Sequence, residues 1–214
     1  VLVAAPVMPM RLVEPRGAPW AATATEGGTA WGVTAVGADR SPHDGSNVTV
    51  AVLDTGCDTQ HPAFKGVRFT YRNFTQDPDA DLHGHGTHCA GTIFGRPVGG
   101  MRIGVAPGIR DVVIGKVLGK KGCSSEQIAD AIQWAVEQGA QLISMSLGID
   151  FPGFVEGLVT REDMPIELAT SRALDDYRMN VMLFERLTAL LGVRSNAPML
   201  IAAAGNESLC ELRA

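Results

Sequence analysis

The chain has 214 residues, close to the upper end of the roughly 100 to 200 residues usual for a single domain. Hydrophobic residues make up 45% and charged residues 19%, enough apolar side chain to bury a core, which excludes intrinsic disorder. The net charge is −5 with no block of like charge, so the basic footprint of a nucleic-acid binder is absent, and no apolar run approaches the roughly 18 to 20 residues that cross a bilayer.

Residues 1–27 are rich in Pro, Ala and Gly, show neither helical nor strand period, and read as an extended arm or the remnant of a propeptide. Their first ten residues lack a basic region and are interrupted by Pro6 and Pro9, which makes a poor signal peptide. Residues 28–214 read as one domain, and its periodic structure begins at 48–54 (VTVAVLD). This β-rich run ends in Asp-Thr-Gly, the pattern of a buried parallel strand opening into a loop. Similar runs recur at 111–118, 141–147 and 199–204. Ser124 and Gln127 can form a capping box, after which Ile128, Ala131, Ile132, Ala135 and Val136 mark one helical face and Gly139 supplies a stop.

Between 168 and 191, Leu174, Tyr177, Val181, Phe184, Leu187 and Leu191 recur at three- and four-residue steps, predicting a long amphipathic helix. Its stripe is expected to pack on the sheet, because Asp175, Asp176 and Glu185 make a poor membrane-binding face. Strands alternating with helices predict an α/β domain: a mostly parallel sheet with helices on both faces and the active site at the carboxyl ends of its strands. The cysteines at 57, 89, 123 and 210 form no Cys-x-x-Cys pair and no disulfide scaffold. Cys89 reads as a small buried hydrophobe, and the pairing of Cys57 and Cys123 is open.

Three signals carry chemistry. Asp54-Thr55-Gly56 lies at a strand end; an aspartic protease would need two such carboxylates, and the chain has one copy. DLHGHGTHCAG (81–91) surrounds its histidines with small residues at a loop entering a helix. AAAGN (202–206) is another strand end, where Asn206 could aim an amide at a developing oxyanion. Together, VAVLDTG (50–56) with His61 and Pro62, HGTHCAG (85–91), SMSLG (144–148) and AAAGN (202–206) resemble the subtilisin-like serine proteases, or subtilases, in type, order and spacing.

The resemblance implies a subtilisin-like fold and peptide-bond hydrolysis through an acyl-enzyme. It implies that Asp54 orients an imidazole, that His85 is general base and then acid, and that Asn206 donates to the tetrahedral oxyanion. It also implies that an extended peptide adds as a strand between Ser146, Leu147 and Gly148 on one side and the loop ending at Gly122 on the other. Ala204 and Gly205 would then line a primary pocket with little bulk, suited to a large apolar side chain. No cofactor is required for such chemistry. Structural calcium is compatible with the resemblance, but no ligand set is assignable. The implied partner is a polypeptide substrate, with no nucleic acid and no membrane, and the location is open between secreted and cytoplasmic.

The sequence departs from the pattern at the nucleophile. The family's serine follows the oxyanion asparagine in a GTSMA-type segment, and none of the serines at 41, 46, 124, 125, 144, 146, 171, 195 and 208 lies in that context. Ser124 heads a capping box and is followed by Glu126 where a nucleophile elbow needs glycine. Zinc at His83, His85, His88 and Cys89 is disfavoured, because four ligands within seven residues cannot readily converge tetrahedrally. Asp77, Asp79 and Asp81 begin like a calcium loop but lead to Leu82 and His88 where glycine and glutamate are needed.

Residues 149–198 are longer than the compact pattern and read as a helical elaboration. The expectation is an incomplete subtilase catalytic domain, inactive alone for want of its serine. It could be complemented by a second chain carrying the C-terminal part, or self-associate through an exposed sheet. A peptide binder that does not cleave is the alternative.

Overall fold

The structure is a computed structural model, and residues 5–12 and 28–205 are described. In chain order the elements are β1 (Pro9–Leu12), β2 (Gly28–Thr29), α1 (Trp31–Ala35), β3 (Val50–Asp54), β4 (Arg68–Asn73), α2 (His85–Phe94), β5 (Met101–Arg102) and β6 (Asp111–Lys116). There follow β7 (Cys123–Ser124), α3 (Ser125–Glu137), β8 (Leu142–Met145), β9 (Leu147–Ile149), α4 (Phe151–Glu162), α5 (Ile166–Gly192) and β10 (Met199–Ala202).

Five strands in the order β10-β8-β3-β6-β4 form a sheet in which every pairing is parallel. Buried on both faces, β3 lies at its centre. Ala51 and Leu53 point to one core with Ile128, Ile132 and Ala135 of α3. Val50 and Val52 point to a second core with Ala90 and Phe94 of α2. That arrangement, period two on a strand covered by helices on both sides, is why VAVLD is continuously apolar up to its final aspartate. The α/β architecture predicted from the alternation of elements is the one observed. The capping box forms as expected: the Ser124 hydroxyl accepts from the Gln127 N–H, and the Gln127 side chain accepts from the Ser124 N–H.

Two expectations change. Within the arm, Pro9–Leu12 is a strand, the middle one of an antiparallel sheet β7-β1-β9. Met8 and Met10 are buried while Val7 and Arg11 are exposed, so a two-residue alternation exists but is too short and too interrupted by proline to be read from sequence. Pro9 is tolerated because it opens the strand.

The second concerns α5. Phe184, Leu187 and Leu191 pack on the main core as expected, whereas Leu174, Tyr177 and Val181 are 45%, 40% and 36% exposed. In its first half, the helix turns Ala169, Ala173, Asp176 and Asn180 inward instead. Ala169 and Ala173 there meet Leu158 of α4, and their small size lets the two helices approach closely.

Cys57, Cys89 and Cys123 are free thiols, which answers the open question of pairing between Cys57 and Cys123. Burial pushes the Cys57 and Cys123 thiols up to about 12, aided at Cys57 by the charges of Asp81 and Asp58. No helix among the described residues is long and apolar enough to cross a membrane.

Candidate active site

The parallel sheet delivers Asp54 at the carboxyl end of its central strand. Val117 and Leu118 N–H groups donate to the Asp54 carbonyl at 2.8 and 3.1 Å, anchoring the turn to the chain that leaves β6. The carboxylate is buried; Oδ1 accepts from the Thr55 N–H at 2.7 Å and lies 2.7 Å from His85 Nδ1. His85 is the first residue of α2, reached through Gly84 in the left-handed conformation at φ +86°. Gly86 makes the approach of helix to strand end feasible, since a Cβ there would lie 2.1 Å from the Gly56 carbonyl oxygen.

A second layer of hydrogen bonds holds this pair. The Gly86 N–H donates to Thr55 Oγ1, whose hydroxyl donates to Asp81 Oδ1 at 2.9 Å. Asp81 also accepts from the Gly84 N–H and, through Oδ2, from the N–H and hydroxyl of Thr87. Burial would raise the Asp81 carboxyl, but the bonds from Thr87, Gly84 and Thr55 outweigh it and hold the group below its ordinary range. Asp81 is thus a brace tying the loop before α2 to the loop after β3.

Behind the imidazole, one helical turn on, Cys89 Sγ lies 3.7 Å from His85 Nδ1, 3.8 Å from Nε2 and 3.8 Å from Ser146 Oγ. The thiol is half-buried and faces the site, which corrects its reading as a plain core residue. The hydrogen bond to Asp54, then that to Cys89, together with the Asp54 charge, outweigh burial and push the imidazole up to about 10. His88 sits on the exposed side of α2. Among the described residues, the cluster with metal-ligand chemistry is Asp54, His85 and Cys89, without His83 or His88.

The two edges expected to grip an extended peptide face one another across a gap one strand wide, and β1 fills it. Met10 pairs with Cys123 on one side and Ile149 on the other, while Arg11 pairs with Gly148 and Leu12 with Leu147. Gly122 is at φ +73°, and a Cβ there would lie 2.6 Å from the Met10 carbonyl oxygen. A cleft of about 340 Å³ joins Thr55, Leu82, Leu118, Gly119, Lys120 and Gly122 to Arg11 and Leu12. A second, of about 310 Å³, brings Ala204 and Gly205 together with Gly148 and Arg11. Ser146 stands beside Cys89 at the same sheet end. Asn206 lies outside the described residues.

A family model described as the subtilase family matches residues 45–212. The chain belongs to the subtilase family. It is 47% identical over 112 residues to the major intracellular serine protease of Bacillus subtilis (strain 168), covering 49% of this chain and 35% of that protein. It is 46% identical over 111 residues to an intracellular serine protease of Paenibacillus polymyxa, covering 49% and 34%. The crystal structure of fervidolysin from Fervidobacterium pennivorans, a keratinolytic enzyme related to subtilisin, aligns with 83% of this chain and 24% of its own at a TM-score of 0.53 and 23% identity, a likeness of fold. This subtilase chain spans about a third of the length of the curated relatives it matches.

Within the subtilase site, sequence reasoning missed Asp81 and Thr55 as braces and Cys89 as a neighbour of the imidazole. The four-residue step from His85 to Cys89 on a helix was the available signal for the last.

Proposed function

We propose that this chain carries the acid–base half of a serine endopeptidase, Asp54 and His85, together with the groove that holds its polypeptide substrate. The observation that carries the reading is the contact of 2.7 Å between a buried carboxylate and a helix-borne imidazole, at the carboxyl end of a parallel sheet beside two strand edges one strand apart. A serine hydroxyl is a weak nucleophile. A neutral imidazole must take its proton, and a buried carboxylate must fix the tautomer and stabilise the imidazolium that forms. Asp54 and His85 suit those roles, and Asn206 suits donation to the oxyanion.

The hydrogen-bonding neighbours of His85 among the described residues are Asp54 and Cys89, and neither is a hydroxyl. We therefore read the 214 residues as inactive alone, their nucleophile supplied by chain beyond them, in the same polypeptide or a complementing one. The test is hydrolysis of an unstructured protein substrate by this chain and by a longer or complemented form. Hydrolysis abolished by a serine-reactive phosphonate only in the second supports the reading; phosphonate-sensitive hydrolysis by the 214 residues themselves overturns it.

A second reading, binding of extended peptides without cleavage, is favoured by one observation: the groove already holds an extended segment with strand pairing on both sides. Tight peptide binding that persists in a longer chain with no hydrolysis would select it.

A further inference from the structure

We propose that the hairpin of α4 and α5 adds to the groove a distal subsite for extended polypeptide, built around Asn180 and Ser125, and that the chain's own residues 6–8 occupy it. The inference rests on the peptide-groove reading above and names what lies at its far end.

The strand pairing of β1 ends at Pro9 opposite Ser124, yet the chain does not leave the surface there. The Met8 N–H donates to Ser125 Oγ at 3.2 Å, and the Met8 carbonyl accepts from the Ser125 N–H at 2.9 Å. Ser125 is the first residue of α3, so this N–H is one of the donors a helix start leaves unpaired, and an extended segment satisfies it. The Pro9 carbonyl accepts from the Asp150 N–H ahead of α4 at 2.8 Å. Two residues further out, the Pro6 carbonyl accepts from Asn180 Nδ2 at 2.8 Å. Backbone groups of two residues, Pro6 and Met8, are thus read beyond the last strand pair, and the Met8 side chain is fully buried.

Asn180 is the informative residue. It is fully buried in the middle of a 27-residue helix, where a plain helix-on-core contact calls for an apolar side chain. Burying an amide is costly unless it is hydrogen-bonded. One of its bonds is to the Asp176 carbonyl in its own helix; the other goes to the arm. Among the described residues the amide therefore finds its tertiary hydrogen-bond partner in the polypeptide segment lying at this place. Side chains are read through burial, that of Met8 and of Met10. The ligand class is accordingly an extended peptide with apolar side chains two residues apart, matching Met8 and Met10, of which the arm is the resident example.

Two measurements test this without relying on catalysis. In the full chain, Asn180→Leu is expected to speed amide exchange across residues 6–12 by about tenfold while amides of β3 and β6 keep their protection. Unchanged exchange in the arm overturns the role of Asn180. In a chain whose arm is weakened by Met8→Asp and Met10→Asp, a labelled peptide of sequence APVMPMRL is expected to bind at least about tenfold more tightly than PMRL, which lacks the distal residues. Equal affinities would remove the distal subsite while leaving the groove. Failure of both peptides to bind, with β3 and β6 still protected, would overturn subsite and groove together.

Discussion

Cys89 lies one helical turn behind His85, its sulfur 3.7 Å from the Nδ1 that also meets Asp54. The imidazole is therefore held from two sides, and both contacts favour its charged form, pushing it up to about 10. Stabilising the charged ring favours the imidazolium that forms when a histidine takes a proton from a nucleophile. Replacing the thiol by a methyl removes the smaller of the two hydrogen-bond contributions. Cys89→Ala is expected to lower the His85 titration midpoint, read from the pH dependence of its ring-proton resonance. An identical midpoint in parent and variant would remove the thiol from the account.

The same raised affinity for a proton has a consequence for folding. A histidine whose folded value is raised from 6.5 to about 10 binds its proton more tightly in the native state. The stabilisation is complete below pH 6.5 and is lost as the pH climbs towards 10. Urea midpoints of the parent and of His85→Gln should therefore differ most below pH 6.5 and converge with rising pH. A difference independent of pH would mean that packing, not charge, holds the ring.

Asp81 runs in the opposite sense. Its carboxyl is held below 3.8, so the bonds it accepts contribute above that pH and are lost as the pH falls through its lowered native value. Asp81→Asn keeps the size but turns one acceptor oxygen into an amide that cannot accept from Thr87 or Thr55. A loss of about 2 kcal/mol is expected at neutral pH, typical of hydrogen bonds to a charged group. Denaturant titrations should show that loss at pH 6 and a smaller one at pH 3, and an equal loss at both would remove the charge from the explanation.

The Asp54 and His85 pair was legible because each residue sits in a short local pattern, a strand end and a glycine-bounded helix start, that the α/β alternation brings to one edge. The arm was not legible because its partners are remote. Met8 meets Ser125 across 117 positions and Pro6 meets Asn180 across 174, and no local period encodes either. For α5 the apolar spacing located the helix but not its orientation throughout, since the small residues Ala169 and Ala173, not the larger Leu174 and Tyr177, set the approach to α4. In the sequence Asp81 reads as the third acidic position of a calcium loop that then fails; only the fold shows its oxygens saturated by hydroxyl and backbone donors.

Two glycines of α2 make a paired test of the close approach between helix and strand end. A Cβ at Gly86 would sit 2.1 Å from the Gly56 oxygen and 3.1 Å from Asp54 Cβ, so Gly86→Ala must push the helix start away. The cost expected is about 1 to 3 kcal/mol, with displacement of the neighbouring imidazole from Asp54. At Gly91 a Cβ meets nothing within 4 Å, so Gly91→Ala gains helix propensity and stabilises by about 0.5 to 1 kcal/mol. Chemical denaturation of both variants checks the pair, and similar effects at the two sites would contradict it.

The outer strand of the main sheet makes a separate prediction about association. β10 pairs with β8 on one side, and its Met199 and Ile201 side chains are 61% and 48% exposed. Among the described residues its other edge carries no paired strand, and an apolar strand edge is a template for pairing with a second copy. The 214-residue chain is therefore expected to self-associate at micromolar concentration, and Ile201→Lys to shift it towards monomer by placing a charge on that edge. Sedimentation velocity of both forms decides it: a monodisperse parent, or a variant that associates as strongly, would place the contact elsewhere.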